Sequence, residues 1–102
     1  MLKTRMILII EDSEEDFQTA KRLLSKMTDR TISRCADAPS AIDFLHGHLQ
    51  GHQKQDSWPA VILLDLNMPG EDGRSLLVKL KRDARLRMIP VVIITTSANL
   101  KT

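Results

Sequence analysis

Tyrosine is missing from this sequence and aromatic side chains are scarce: Trp58, Phe17 and Phe44 are the whole supply. Any core must therefore be aliphatic. Cys35 stands alone, so no internal disulfide can form, which suits a reducing compartment. No apolar run approaches the ~18 residues that a membrane span needs. Glu11 and Asp12 follow Lys3 and Arg5 too soon for a secretory signal. An excess of one charge is lacking too: 15 Lys and Arg against 13 Asp and Glu leave a net +2. That is too little to argue for nucleic acid or an anionic membrane as partner. A soluble, cytoplasmic chain is expected, with no membrane and no direct nucleic-acid contact. With 102 residues, 42% of them apolar, it should fold as one domain, residues 1–102, rather than stay disordered.

What is present is an alternation of two patterns. Met6 to Ile10, Ala60 to Leu64 and Val91 to Ile94 are continuous apolar runs, as parallel strands buried on both faces require. Thr31 to Cys35 mixes apolar and polar residues and suits an edge strand. Between them, Phe17, Ala20, Leu24 and Met27 fall on one helical stripe, behind Ser13 and Asp16 spaced like a capping box with Asp in place of Glu. Ala38, Ala41, Ile42, Leu45 and Leu49 form a second stripe, which Gly47 interrupts or ends. Leu76, Leu77 and Leu80 form a third, with Asp72 as its N-cap. His46 to Pro59 is polar, holds two glycines and predicts a long loop. The order βαβαβαβ predicts an α/β fold: an open, doubly wound parallel sheet with right-handed crossovers, and ligands beyond the carboxyl ends of its strands.

The chemistry should gather at that rim, because each apolar run ends in a polar group: Glu11 and Asp12, then Asp65, then Thr95. With strand order 2-1-3-4 the first and third strands are neighbours, ~4.8 Å apart, which brings Glu11, Asp12 and Asp65 together with Thr95 on the far side of Asp65. Two carboxylates ~5 Å apart repel by roughly 3 kcal/mol at an effective dielectric near 20. A shared proton or a cation relieves this, and Mg²⁺ suits three acids at one rim. Each residue has a plainer reading alone. Glu11 and Asp12 precede a helix and favour its dipole, Asp65 could be a turn former, and Thr95 is an ordinary strand residue. Three strand ends in register are harder to explain by turn chemistry.

The segment Val61-Ile62-Leu63-Leu64-Asp65-Leu66-Asn67-Met68-Pro69-Gly70-Glu71-Asp72-Gly73 resembles the phosphorylation loop of two-component response-regulator receiver domains, the CheY-like superfamily. Ile7 to Asp12 resembles their first strand and acidic pair. Ile89 to Thr95 resembles their fourth strand and its hydroxyl residue. The loop before Ala60 and the run Thr95-Thr96-Ser97 resemble stand-alone regulators paired with phytochrome-like kinases. The resemblance implies a flavodoxin-like receiver fold. Asp65 would be the phosphoacceptor, charged from a histidine kinase or phosphotransfer protein and signalling to a downstream protein partner. Glu11, Asp12, Asp65 and the Asn67 backbone carbonyl would hold Mg²⁺, and Thr95 would hydrogen-bond a phosphoryl oxygen. Met68 to Glu71 fits a type II turn that aims the Asn67 carbonyl. Such a domain is no conventional enzyme, but it promotes its own phosphorylation and slow dephosphorylation.

The sequence departs from the family after Thr95. The expected lysine, usually followed by proline, is not found, and Lys101 lies too near Thr95 to replace it. Thr96 is bulkier than the small residue usual there. The fourth helix, fifth strand and fifth helix have no counterpart before Thr102, so the chain is expected to be a piece of a longer receiver, a naturally short protein or a decayed product. A short form would expose the fourth-strand edge and uncovered sheet, and would be expected to homodimerise. Two rival functions remain. A phosphorylation-independent interaction module keeps the fold without the lysine. An aspartyl-phosphate phosphohydrolase is disfavoured, because it needs an acid where Asn67 stands. His46, His48 and His52 suit a solvated loop better than a metal site, and the basic stretch of Lys79, Lys81, Arg82, Arg85 and Arg87 suits a solvated helix face. Trp58, beside Pro59, reads as a loop anchor.

Overall fold

A computed structural model describes residues 5–49, 58–68 and 73–94, with residues 48 and 49 described only as backbone. In chain order it contains β1 (Ile7–Ile10), α1 (Glu14–Ser25), β2 (Ile32–Cys35), α2 (Ala38–Leu49), β3 (Val61–Asp65), α3 (Gly73–Arg82), a 3-10 turn (Leu86–Met88) and β4 (Val91–Ile94). The strands form one sheet in the order β2-β1-β3-β4, with every pairing parallel. This is the open, doubly wound parallel sheet that the alternation predicts, in the expected strand order 2-1-3-4. Thr31 to Cys35 was expected at an edge, and β2 lies there.

The period-2 alternation of strand side chains divides the core into two layers. Leu8, Ile10, Ile62 and Leu64 pack with Ala38, Ala41 and Leu45 of α2 and with Leu76 and Leu80 of α3. On the opposite face, Ile7 and Ile9 meet Phe17, with Ala20, Leu24, Val61 and Leu63 around them. The first layer is much the larger. Leu86 and Ile89 anchor the link between α3 and β4 in it. The runs in β1 and β3 are indeed buried or nearly so, but in β4 Val92 is 48% exposed and Ile93 40%. Burial on both faces thus does not extend to β4, whose only neighbour among the described residues is β3.

Local chemistry sets the helix ends. Ser13 caps α1 from extended backbone, its Oγ accepting the Asp16 N–H at 3.2 Å. Only that half of the expected capping box forms, because the Ser13 N–H is already given to Glu11 Oε2 at 3.1 Å. The α1 stripe ends sooner than its spacing predicts: the helix stops at Ser25, and Met27, in the turn beyond, is 80% exposed. Asp37, not singled out from sequence, accepts the Ser40 N–H at 2.8 Å at the start of α2, which holds its carboxyl below the usual range. Helix α2 runs through Gly47 to Leu49, so residues 46–49 are helical where a loop was expected. Residues 50–57, and the Asp72 cap and the Pro69-Gly70 turn, lie outside the described residues. His46 is exposed and its Nε2 lies 3.5 Å from Asp83 Oδ2. The His48 side chain and His52 lie outside the described set. Asp83 Oδ1 accepts the Arg85 and Leu86 N–H groups at 2.8 and 3.0 Å, turning the chain out of α3.

Gly73 stands where α3 meets the end of β3. A Cβ there would lie 2.5 Å from Leu66 Cα and 2.6 Å from the Asp65 carbonyl oxygen, so backbone, not a movable side chain, blocks any larger residue. Gly47 has nothing within 4 Å of the same position. Gly73→Ala should therefore destabilise the fold by about 2 kcal/mol or more through overpacking. Gly47→Ala should stabilise it by roughly 0.5–1 kcal/mol through helix propensity. Urea midpoints for the two variants should move in opposite directions; midpoints displaced alike would contradict this placement of the helices.

Candidate metal centre at the carboxyl end of the sheet

In the parallel ladder Ile10 pairs with Leu64 and Asp65 with Ile94. The register delivers Glu11, the residue after β1, beside Asp65, the last residue of β3. One carboxylate oxygen each from Glu11, Asp12 and Asp65 lie within 4.8 Å of one another. Glu11 and Asp65 are 2% and 0% exposed, whereas Asp12 opens to solvent. The convergence expected of the first and third strand ends is thus present for these three acids. Thr95 follows the last described residue of β4 and lies outside the described set.

Hydrogen bonds fix some of these oxygens and leave one orphaned. Asp65 Oδ1 accepts the Asn67 N–H at 2.9 Å, and Glu11 Oε2 accepts that of Ser13. Asp65 Oδ2 is buried with no hydrogen-bond partner among the described residues. A buried carboxylate oxygen without a partner is costly, and at an effective dielectric near 20 its neighbours add roughly 3 kcal/mol of repulsion. The strain shows at Glu11, whose carboxyl is pushed up to about 7. Burial is the largest cause; the Ser13 N–H opposes it, and the nearby charge of Asp65 adds to the rise. Three converging carboxylates, two of them buried and short of hydrogen-bond donors, fit a divalent cation that prefers oxygen ligands. Asn67 sits two residues beyond Asp65; its side chain is exposed, and its backbone N–H is the group shown at the pocket.

Sequence reasoning missed the group that supports this turn from outside. Arg34 of β2 donates from Nε to the Glu11 carbonyl and from Nη2 to the Asp12 carbonyl, both at 3.0 Å. Its Nη1 meets Glu14 Oε1 at 2.6 Å. Nothing in the spacing marks a lone arginine in a mixed strand; only the pairing of β2 with β1 reveals it.

Comparisons with known proteins agree with the geometry. The family model described as the response regulator receiver domain matches residues 7–102. Response regulator Rcp1 of Synechocystis sp. is 38% identical over 96 residues, covering 93% of this chain and 64% of that protein. The phosphorylated cyanobacterial phytochrome response regulator RcpA superposes with a TM-score of 0.77 at 33% identity, over 96% of this chain and 69% of that one. The Mn²⁺-bound form of Rcp1 gives 0.74 at 35% identity, over 93% and 67%. The chain spans just under two thirds of the length of Rcp1.

The raised Glu11 carboxyl carries a signed consequence for stability. Without a cation the folded protein keeps this proton up to about pH 7, whereas the unfolded chain releases it near 4.5. The folded state thus binds more protons between those values, and stability must fall as pH rises across that window, then level off. The loss should be of the order of 3 kcal/mol. Glu11→Gln should flatten this slope in chelator-treated protein, as measured by urea denaturation from pH 4.5 to 8. A slope equally steep in the variant would contradict the assignment.

Proposed function

The chain belongs to the response regulator receiver domain family, and from that premise we propose that Asp65 accepts a phosphoryl group from the phosphohistidine of a histidine kinase or phosphotransfer protein. The observation that carries this reading is Asp65 Oδ2, buried and without a partner among the described residues, on a member of the acidic cluster. Oδ1, which accepts the Asn67 N–H, keeps a second lone pair for the cation, so Oδ2 is the oxygen proposed to react. Its lone pair forms the new O–P bond while the donor's N–P bond breaks and the imidazole leaves. A carboxylate is a weak nucleophile, so the donor must already be activated, and the site contributes mainly position and charge.

Glu11, Asp12, Asp65 and the Asn67 carbonyl are the proposed Mg²⁺ ligands. The bound cation supplies charge stabilisation for the transferring phosphoryl oxygens. Glu11 and Asp12 keep that charge placed at the rim, and Thr95 offers its hydroxyl to a phosphoryl oxygen. Movement of Thr95 and its loop towards the phosphoryl group would carry the signal to a downstream protein. The same site allows slow hydrolysis by an in-line water. Likeness to RcpA, a phytochrome response regulator by name, supports a phytochrome-like kinase as the donor's source.

Incubation with acetyl phosphate and Mg²⁺, followed by intact-protein mass spectrometry, tests this directly. The protein should gain one phosphoryl group, Asp65→Asn should gain none, and Asp12→Asn should slow the gain by roughly 10²-fold, equivalent to about 3 kcal/mol of lost cation stabilisation. An unmodified wild-type protein would favour an interaction module that works without phosphorylation; equal modification of Asp65→Asn would place the acceptor elsewhere.

A further inference from the structure

Arg34 stands opposite Ile9 in the β1–β2 ladder, on the side of the sheet that meets α1. Its guanidinium carbon lies 5.5 Å from the centroid of the Phe17 ring. Three of its nitrogens are engaged: Nε with the carbonyl of Glu11, Nη2 with the carbonyl of Asp12, Nη1 with the Glu14 carboxylate. The side chain is 23% exposed. These contacts join β2, the turn after β1 and the first turn of α1 through one planar group.

The Glu11 and Asp12 carbonyls lie between the last ladder bond of β1 and the first helical bond of α1. The Glu11 N–H still reaches the Cys35 carbonyl at 3.0 Å, and the Ser13 carbonyl already accepts from Phe17 N at 2.9 Å. The two carbonyls between these points need donors from elsewhere. A guanidinium offers donors in a fixed fork, so binding both carbonyls orients two successive peptide planes. The Asp12 Cα joins those planes and the Glu11 Cα adjoins the first. The fork therefore sets the directions in which the two acidic side chains leave the backbone. Mutual repulsion among Glu11, Asp12 and Asp65 would otherwise splay this turn.

We infer that Arg34 is a positioning residue of the acidic pocket: its guanidinium fork holds the Glu11–Asp12 turn so that both carboxylates face Asp65 before a cation arrives. The inference rests on the reading of that pocket as a divalent-cation site, and it extends the site to a residue on β2 that touches neither cation nor phosphoryl group. Supporting groups behind a ligand set commonly govern affinity by 10–100-fold. Glu14 and Phe17 anchor the fork from its outer side.

Mn²⁺ affinity measured by electron paramagnetic resonance on the wild type, Arg34→Gln and Arg34→Lys tests the role. Amide hydrogen exchange on the cation-free proteins is measured beside it. Arg34→Gln should weaken Mn²⁺ binding by about 10–100-fold and speed exchange of the Ser13 N–H, while the inner amides of α1 stay protected. Arg34→Lys keeps the charge but not the fork and should weaken binding comparably, which carries the test if Arg34→Gln proves too unstable to fold. Wild-type affinity in Arg34→Lys would overturn the clamp in favour of simple charge. A lowered melting temperature with unchanged affinity would overturn it in favour of a purely structural part. No Mn²⁺ binding by the wild type would instead fell the cation-site reading, and the clamp with it.

Discussion

Glu11 and Asp65 sit at the ends of two adjacent parallel strands, and the β1–β3 register places them side by side, both buried. Everything at this site follows from that constraint. Carboxylates brought together and desolvated must hold a proton, bind a cation or push apart. The raised Glu11 carboxyl and the orphaned Asp65 oxygen are two expressions of the same conflict. A fold that only needed stability would not place two buried acids here, since buried charge is among the costlier features of a protein interior.

The rest of the chain supplies the rigidity that keeps the acids in place. The four strands end in step, and the layer under α2 and α3 is filled with fully buried aliphatic side chains. Such a layer resists the small shift that would relieve the repulsion. At the rim itself the restraints are polar. Ser13 ties Glu11 to the start of α1, Asn67 ties Asp65 to its own loop, and Arg34 ties the acidic turn to β2. Gly73 lets α3 begin against the backbone of Asp65 and Leu66, where any side chain would force the helix away.

Much of this was legible in the residues themselves. Continuous apolar runs separated by helical stripes dictated the βα alternation, and the polar residue ending each run dictated where chemistry should collect. What escaped sequence reading depends on contacts between distant segments. Arg34 looks like any charged residue of an edge strand until β2 is laid beside β1. The extent of α2 was underread because Gly47 weakens helix propensity without ending the helix, its surroundings being open. Met27 fits the α1 stripe by spacing, yet the helix stops two residues before it. The half-formed capping box has a similar origin: local spacing could not reveal that Glu11 takes the Ser13 N–H.

The central claim is that these acids form one cation-binding pocket. Substoichiometric Mn²⁺ added to ¹⁵N-labelled protein tests it most directly, because paramagnetic broadening reports which amides lie near the ion. The account predicts broadening that starts at Glu11, Asp12, Asp65 and Asn67 and fades with distance from the carboxyl end of β1 and β3. Broadening centred elsewhere, such as on His46 and Asp83, or no broadening at all, would contradict it.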